Sequence, residues 1–318
     1  MTYPADGIVL IDKEAGITSH DVVQKVRSTF KRGKAWKVGH AGTLDPFATG
    51  LLIVLMGQGT RLSDYLMAGT KAYQAVMTLG VETDTLDGTG RIVSTQAVPD
   101  LSAAYIRQKA TAFVGEIEQT PPVYSAIKIE GRRAYTLARN GVAVHMKSRT
   151  VTVWALDILE VDLPRINLCI RCSSGTYIRS LTADLGRLLG PGGHLTALKR
   201  IESGSFHVDD ALCSKKICAQ NRAVLRQRTL SLRTALSGMQ EIQVDKGLAQ
   251  KVRHGYQPTV DDLLLNSHGI QSEPGGGTDN RVRSIKLISQ DKLVAVLTVH
   301  QTRGGCYDRV SIEKVFSD

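Results

Sequence analysis

Residues 31–50, KRGKAWKVGHAGTLDPFATG, hold too many glycines, with a proline among them, to form one long regular element. The stretch begins basic, with Lys31, Arg32, Lys34 and Lys37, and reads as a long loop. It runs directly into LLIVLMG, residues 51–57, a run apolar enough to be a buried strand. The chain must therefore build a sheet with covered faces and hang a long irregular loop from one of its central strands.

The rest of the chain supplies such a sheet. IVLIDK is a short buried-type strand, followed by a helix that Ser19 can cap, with Val22, Val23, Val26 and Phe30 on one face and Gly33 as its stop. TRLSDYLMAG reads as a short helix. KAYQAVMTLG alternates, with Tyr73, Ala75, Met77 and Leu79 on one side. A turn at Asp87-Gly88 leads to a strand near 91–94. Ser102 can cap a helix burying Ile106, Ala110, Phe113 and Val114. TVTVWALDILEV and RINLCIRC read as strands, and Ile178, Leu181, Leu185, Leu188 and Leu189 form a helical stripe ending at Gly190. Residues 214–239 suggest helices. From about Glu241 short strands and glycines take over, with a polar Gly-rich loop, SHGIQSEPGGGTDN, at 267–280. The order predicts a mixed sheet with much antiparallel pairing, flanked by helices. It divides into a larger unit over 1–240 and a small β-rich unit over 241–318.

With 40 Lys and Arg against 30 Asp and Glu, the chain carries a net charge of +10. Such an excess concerns partners rather than fold, and nucleic acid is the first candidate. No apolar run approaches the roughly 20 residues of a membrane span, and MTYPADG lacks the features of a signal peptide. A cytoplasmic location is expected. The five cysteines, an odd number, do not suggest a disulfide framework. Cys169 and Cys172 form a CxxC, but within a strand-like run where they point to opposite faces, so no metal site is expected. DTLDGTG (84–90) lacks the spacing of a phosphatase nucleophile motif and reads as a Gly-rich turn. GRLLGPGGH lacks the Lys-Ser/Thr that completes a phosphate loop, and no dinucleotide fingerprint is present.

GHAGTLDPFATG (39–50) places one carboxylate, Asp45, after several small residues that allow close approach of a backbone or a flat substrate, and Pro46 stiffens the turn behind it. Taken alone, Asp45 reads as a turn residue. Its company changes that reading. GIVLIDKEAGITSHDVV, KAYQAVMTLGVETDTLDGTG, GEIEQTPPVYSAIKIEGRRAYTLARNG, SSGTYIRSLTADLGRLLG and HLTALKRIESGSF surround it, and together they span about residues 7–208. In this order the blocks resemble the TruB family of pseudouridine synthases, and GHAGTLDPFATG is similar to that family's form of its catalytic motif. Residues 241–318 resemble a PUA-type RNA-binding domain more weakly. Glu14 after Lys13, where many members carry proline, and Arg61, where some carry lysine, depart from the pattern.

The resemblance implies an α+β pseudouridine synthase fold, and an isomerase acting on a uridine of the tRNA T-arm loop with no cofactor and no metal. It implies Asp45 as catalytic carboxylate, with Arg179 and Tyr177 in support. Tyr73 would stack on the flipped base and Leu198 would close the apolar side. His40, Lys13 and Arg61 would meet RNA. A monomer with no obligatory protein partner is expected. Two alternatives stand beside this reading. One is a non-catalytic RNA-binding protein or tRNA chaperone, which has no need of Asp45, Arg179 and Tyr177 together. The other is a guide-RNA-dependent synthase, which usually carries extra terminal segments for partner proteins; almost nothing before residue 7 and little after the last expected strand make it the less expected reading. If the positive charge meets RNA phosphates, log affinity should fall against log salt, each contact adding about −0.7 to −0.9 to the slope; titrations of tRNA at several ionic strengths measure this.

Overall fold

The computed structural model describes residues 6–30, 36–125, 127–129, 131–140, 146–218, 221–263, 282–302 and 306–317. The basic start of the loop, the helix stop at Gly33 and the Gly-rich loop at 267–280 lie outside the described residues. Strand β1 (Gly7–Lys13) leads to helix α1 (Ser19–Phe30), then to β2 (Val38–Ala41) and β3 (Thr49–Met56). A 3₁₀ turn (Gly57–Leu62) and α2 (Ser63–Ala68) precede β4 (Lys71–Leu79) and the hairpin of β5 (Val81–Thr83) and β6 (Ile92–Thr95). Next come α3 (Ala103–Ala110), β7 (Gly115–Gln119), a small hairpin of β8 (Lys128–Ile129) and β9 (Arg132–Arg133), and α4 (Ala134–Arg139). They are followed by β10 (Arg149–Asp162), β11 (Arg165–Cys172), α5 (Ile178–Leu189), β12 (Gly193–Ser203), β13 (Phe206–His207) and β14 (Leu212–Cys213). Helices α6 (Arg222–Gln227) and α7 (Leu232–Ala235) lead to β15 (Glu241–Gln243), α8 (Lys246–Arg253), β16 (Val282–Ser289), β17 (Lys292–Gln301) and β18 (Tyr307–Val315).

Ten strands form one sheet in the order β14-β1-β3-β12-β4-β11-β10-β7, with β2 beside β3 and β13 beside β12. Only β1–β14 and β3–β12 run parallel, so the sheet is mixed and largely antiparallel, as the sequence suggested. β15, β16, β17 and β18 form a separate four-stranded sheet. The fold is α+β. Among the described residues no helix is long and apolar enough to cross a membrane.

Alternation along β1 explains why IVLI and LLIVLM are apolar throughout. Val9 and Ile11, with Leu52 and Val54 of β3, face a core shared with α1, α3 and α5. Ile8 and Leu10, with Leu51, Ile53 and Leu55, face the other way. That second core is closed by Leu62, Leu66 and Ala235 and by Ile288, Leu293, Val296 and Phe316 of the C-terminal sheet. The β-rich unit therefore covers one face of the ten-stranded sheet. On its own far side it packs Ala249 and Val252 of α8 against Ile285, Leu287 and Leu297.

Several local expectations shift. Residues 38–41 form a strand rather than loop, because β3 offers a free edge and pairs His40 with Val54. Thr18, not Ser19, caps α1: Thr18 N–H donates to Asp21 Oδ2 at 2.8 Å and Asp21 N–H to Thr18 Oγ1 at 3.1 Å, a reciprocal box. Ser19 Oγ is engaged elsewhere, with Leu44. Helix α3 ends at Ala110, so Val114 is exposed rather than buried. Leu188 is also exposed. Helix α8, whose Leu248 N–H is capped by Asp245 Oδ1 at 2.7 Å, falls in a region expected to be strands alone.

The last strand is stitched to the turn after β3. Lys314 Nζ donates to Arg61 O at 2.6 Å and lies 3.1 Å from Asp64 Oδ2. Arg61 donates to Val315 O and stacks on the Phe316 ring at 5.1 Å, and Gln58 exchanges two hydrogen bonds with the backbone of Ser317. Phe316 is fully buried in the shared core. Phe316→Ala should destabilise the whole protein by about 3–5 kcal/mol. Both tryptophans, Trp36 and Trp154, lie in the larger unit. Their fluorescence transition in urea should therefore shift with this substitution, and would stay put if the two units unfolded independently.

Candidate active site

The loop between β2 and β3 is held from beneath. Ser19 Oγ accepts from Leu44 N–H at 2.9 Å and donates to Leu44 O at 3.1 Å, so the start of α1 fixes the residue before Asp45. Ala48 N–H donates to Asp45 O at 3.1 Å and closes the turn around Pro46. Lys13 Nζ donates to Ile17 O at 2.7 Å, Glu14 O at 2.9 Å and Pro46 O at 3.2 Å. Burial pushes the Lys13 ammonium down to about 8, while Asp45, Glu14 and Asp21 act in the opposite sense. This lysine has no exposed surface. It was expected to meet RNA; instead it braces the loop, since all three of its donors are spent on carbonyl groups.

Asp45 faces Arg179, the second residue of α5. Arg179 Nη2 donates to Asp45 Oδ1 at 3.2 Å, and Nε lies 2.9 Å from Oδ2 as an ion pair without hydrogen-bond alignment. The rest of the guanidinium is fully engaged. Nη1 donates to Thr85 O at 3.0 Å and sits 3.6 Å from Asp87 Oδ2, and Nη2 also donates to Tyr124 O at 3.0 Å. Arg179 and Asp87 are buried, whereas about a third (34%) of the Asp45 side chain stays exposed. Burial raises the Asp45 carboxyl above its ordinary range, Arg179 opposes that, and Asp87 adds to it. Asp87 belongs to the turn that sequence motifs gave no reason to single out. Its Oδ1 accepts from Thr89 Oγ1 at 2.6 Å, Thr85 Oγ1 at 2.8 Å and Thr89 N–H at 3.0 Å, which leaves Oδ2 toward Arg179.

Asp45, Arg179, Tyr177, Tyr73 and Leu198 line one pocket of about 300 Å³. Tyr73 and Leu198 come from adjacent strands β4 and β12, whose register sets Leu198 beside Ala75 and Arg200 beside Tyr73. Tyr177 is held at the start of α5 by Gln119, which accepts from its N–H at 2.7 Å and donates to its carbonyl at 3.0 Å. Burial raises the Tyr73 phenol, so it is neutral.

Three cations of the pocket wall were not singled out by sequence. Arg200 Nε donates to Leu51 O at 2.7 Å and Nη2 to Gly42 O at 3.0 Å. It crosses β3 where Gly50 has φ +99°, and a Cβ there would lie 2.3 Å from Arg200 O, so only glycine fits. Lys71 Nζ donates to Gly69 O at 2.9 Å, Met67 O at 3.2 Å and Leu66 O at 3.3 Å, capping α2. Arg149 stands at the head of β10. None of the three falls in a motif that marks it out, and Arg200 and Arg149 take their places from partners far along the chain.

The other two expected RNA contacts lie apart. His40 sits on β2 outside the pocket lining, with Nδ1 buried and unpartnered; burial and then Arg200 lower its pKa and keep it neutral. Arg61 lies against β18, outside the lining of the pocket, and lines a separate basic cleft with Lys246, Arg253 and His254. Among the described residues no cluster of His, Cys, Asp and Glu is suited to a metal ion.

Residues 27–178 match the model of the TruB family pseudouridylate synthase N-terminal domain, and residues 179–240 that of the tRNA pseudouridylate synthase B C-terminal domain. The tRNA pseudouridine synthase B of Clostridium kluyveri is 40% identical over 250 residues, 79% of this chain and 84% of that protein. The one from Geobacter sulfurreducens is 39% identical over 92% of both chains. The chain belongs to the TruB family. In three dimensions it is similar to a chain in the crystal structure of a Cbf5-Nop10-Gar1 complex, with TM-score 0.73 at 24% identity, covering 98% of this chain and 85% of that one. At that identity the likeness bears on fold alone, and it agrees with the pseudouridine synthase fold expected of a TruB chain.

Arg179 and Asp87 act on Asp45 with opposite sign. A carboxylate that acts as nucleophile or base must be ionised, and the folded protein holds Asp45 above its ordinary pKa, so an activity that used Asp45 would be lost as pH falls through that raised value. Arg179→Gln removes the opposing cation and should move the acid limb of the rate profile to higher pH. Asp87→Asn removes the repelling anion and should move it to lower pH. Profiles of kcat for the three proteins test both signs; parallel shifts would refute the arrangement.

Proposed function

We propose that this chain is a tRNA pseudouridine synthase that isomerises a uridine of the T-arm loop, with Asp45 as its catalytic carboxylate. The observation that carries the reading is the Asp45–Arg179 pair lining one pocket with Tyr73 and Leu198, in a chain of the TruB family. A binding protein gains nothing from a desolvated carboxylate held against a buried guanidinium. Relatives about 40% identical over most of their length are named tRNA pseudouridine synthase B, which favours a stand-alone enzyme over a guide-dependent one.

The reaction breaks the bond from C1′ to N1 of uracil, turns the base and joins C1′ to C5; the C5 hydrogen leaves as a proton and N1 gains one. A stacked base must first leave its loop, at a cost of about a few kcal/mol. Stacking on Tyr73 and apolar contact with Leu198 offset that cost. Asp45 then acts at the ribose, as nucleophile on C1′ or as base toward a ribose proton; each requires the ionised form that Arg179 favours. Tyr177, fixed through Gln119, borders the same space and serves as a hydrogen-bonding support. In this reading the β-rich unit over 241–318 is a PUA-like RNA-binding module. It is anchored rather than tethered, because its strands complete a core of the catalytic sheet.

Unmodified tRNA carrying tritium at uracil C5, incubated with the purified protein, should release about one equivalent of tritium. Asp45→Asn should bind the tRNA and slow release by about 10²-fold or more. Tight binding without release by the wild-type protein would overturn the catalytic reading.

A further inference from the structure

The pocket wall holds five charged side chains, namely Asp45, Lys71, Arg149, Arg179 and Arg200. Three of the four cations are committed. Arg179 is shared between two carboxylates, and Lys71 and Arg200 point their donors at backbone carbonyls. Arg149 is different. Its guanidinium lies over the Tyr177 ring, with Cζ 4.9 Å from the centroid, and one Nη2 hydrogen bond reaches Gly175 O. Its Nε is buried without a hydrogen-bond partner. Among the described residues no carboxylate lies within ion-pair distance of it. Gly175, whose carbonyl takes the Nη2 hydrogen bond, sits at φ +83°, a conformation that L side chains rarely adopt.

A guanidinium held over an aromatic ring and tied to a backbone carbonyl has less rotational freedom to lose on binding a ligand than a free one. A buried donor with no partner calls for an explanation, and a ligand that completes the site supplies one. The occupant must be anionic, accept several hydrogen bonds, and reach the rim while a nucleoside fills the pocket. A nucleotide in a chain brings such a group with it, because each nucleoside is flanked by a phosphodiester on both its 5′ and 3′ sides.

We propose that Arg149, laid on Tyr177 beside Gly175, forms a subsite for an RNA backbone phosphate adjacent to the reacting uridine. Arg149 is a positioning residue in this scheme: it fixes the backbone so that the sugar of the flipped nucleotide meets Asp45. The inference rests on the uridine-isomerising reading of the pocket and adds a residue and a ligand group to it. It also accounts for the pairing of Arg149 with Tyr177, since a bound phosphate would hold the guanidinium in place and keep the ring at the pocket wall.

The test is a cycle between protein and RNA. A hairpin containing the tritiated target uridine is made with the 5′ or the 3′ flanking phosphate replaced by an uncharged methylphosphonate, and kcat/KM is measured for wild type and Arg149→Gln. On native RNA Arg149→Gln should lose about 10- to 100-fold, the range for a hydrogen bond to a charged group. Wild type should lose a similar factor at one of the two linkages, and the variant should lose little more there. Equal losses in both proteins at both linkages would show that Arg149 acts only through the fold and would overturn the proposal. So would a wild-type enzyme indifferent to both replacements. If Arg149→Gln does not fold, Arg149→Lys carries the same cycle, with a reduced but still linkage-specific sensitivity expected. If wild type releases no tritium from the native hairpin, the isomerase reading fails separately. Affinities of the same hairpins then decide the phosphate subsite by the same comparison.

Discussion

Arg179 is the point on which the site turns. One guanidinium joins the Asp45 loop, the Asp87 turn through both its carboxylate and Thr85 O, and the segment at Tyr124, while its own backbone belongs to α5. A buried ion pair repays its desolvation only when the remaining donors are also satisfied. Here two carbonyls and a second carboxylate meet that condition. The arrangement also leaves Asp45 unbalanced, because Asp87 draws on the same cation. Asp45 is therefore held ionisable and aimed, yet less stabilised than it would be in an isolated pair.

The scaffold repeats one device around this pair. Lys13, Lys71 and Arg200 are buried cations whose donors end on main-chain carbonyls. Each fixes a loop or a helix end that borders the pocket, and none brings a carboxylate with it. The fold thereby accumulates positive charge beneath a site that must receive a polyanion. Burial is costly for any ammonium, as the lowering of Lys13 and Lys71 to about 8 shows, and the carbonyl bonds offset that cost. The second structural constraint is the two-faced sheet: β1 and β3 are apolar on both sides because the C-terminal sheet covers the face that the helices do not.

Much of this was legible in the residues. Alternation and helical stripes placed β1, α1, β4, β10, β11 and α5, since those elements bury regular faces and the period carries the signal. The glycines and Pro46 marked the loop of Asp45, and the ordered blocks brought Tyr73, Tyr177, Arg179 and Leu198 into one expectation, which the pocket gathers. Local signals were weaker where a partner lies far along the chain. VGHA became a strand because β3 had an unpaired edge. Ser19 left the capping role to Thr18 and bonds Leu44 instead, and α8 appeared where only short strands were expected.

The sequence by itself determined the element types, the mixed sheet, the family and the loop that presents Asp45, because each is written in patterns only a few residues to a few tens of residues long. The tertiary structure alone decided which side chains share the pocket. It drew Asp87 out of an apparent turn to face Arg179 and turned Lys13 inward as a brace. It also set Arg61 against the last strand and laid Arg149 on Tyr177. Each of those outcomes includes a contact between residues at least 28 positions apart, from Arg149 to Tyr177, from Lys13 to Pro46, and from Arg61 to Val315 more than 200 positions on. No local periodicity encodes such contacts, because they form only when distant strands and loops pack against one another.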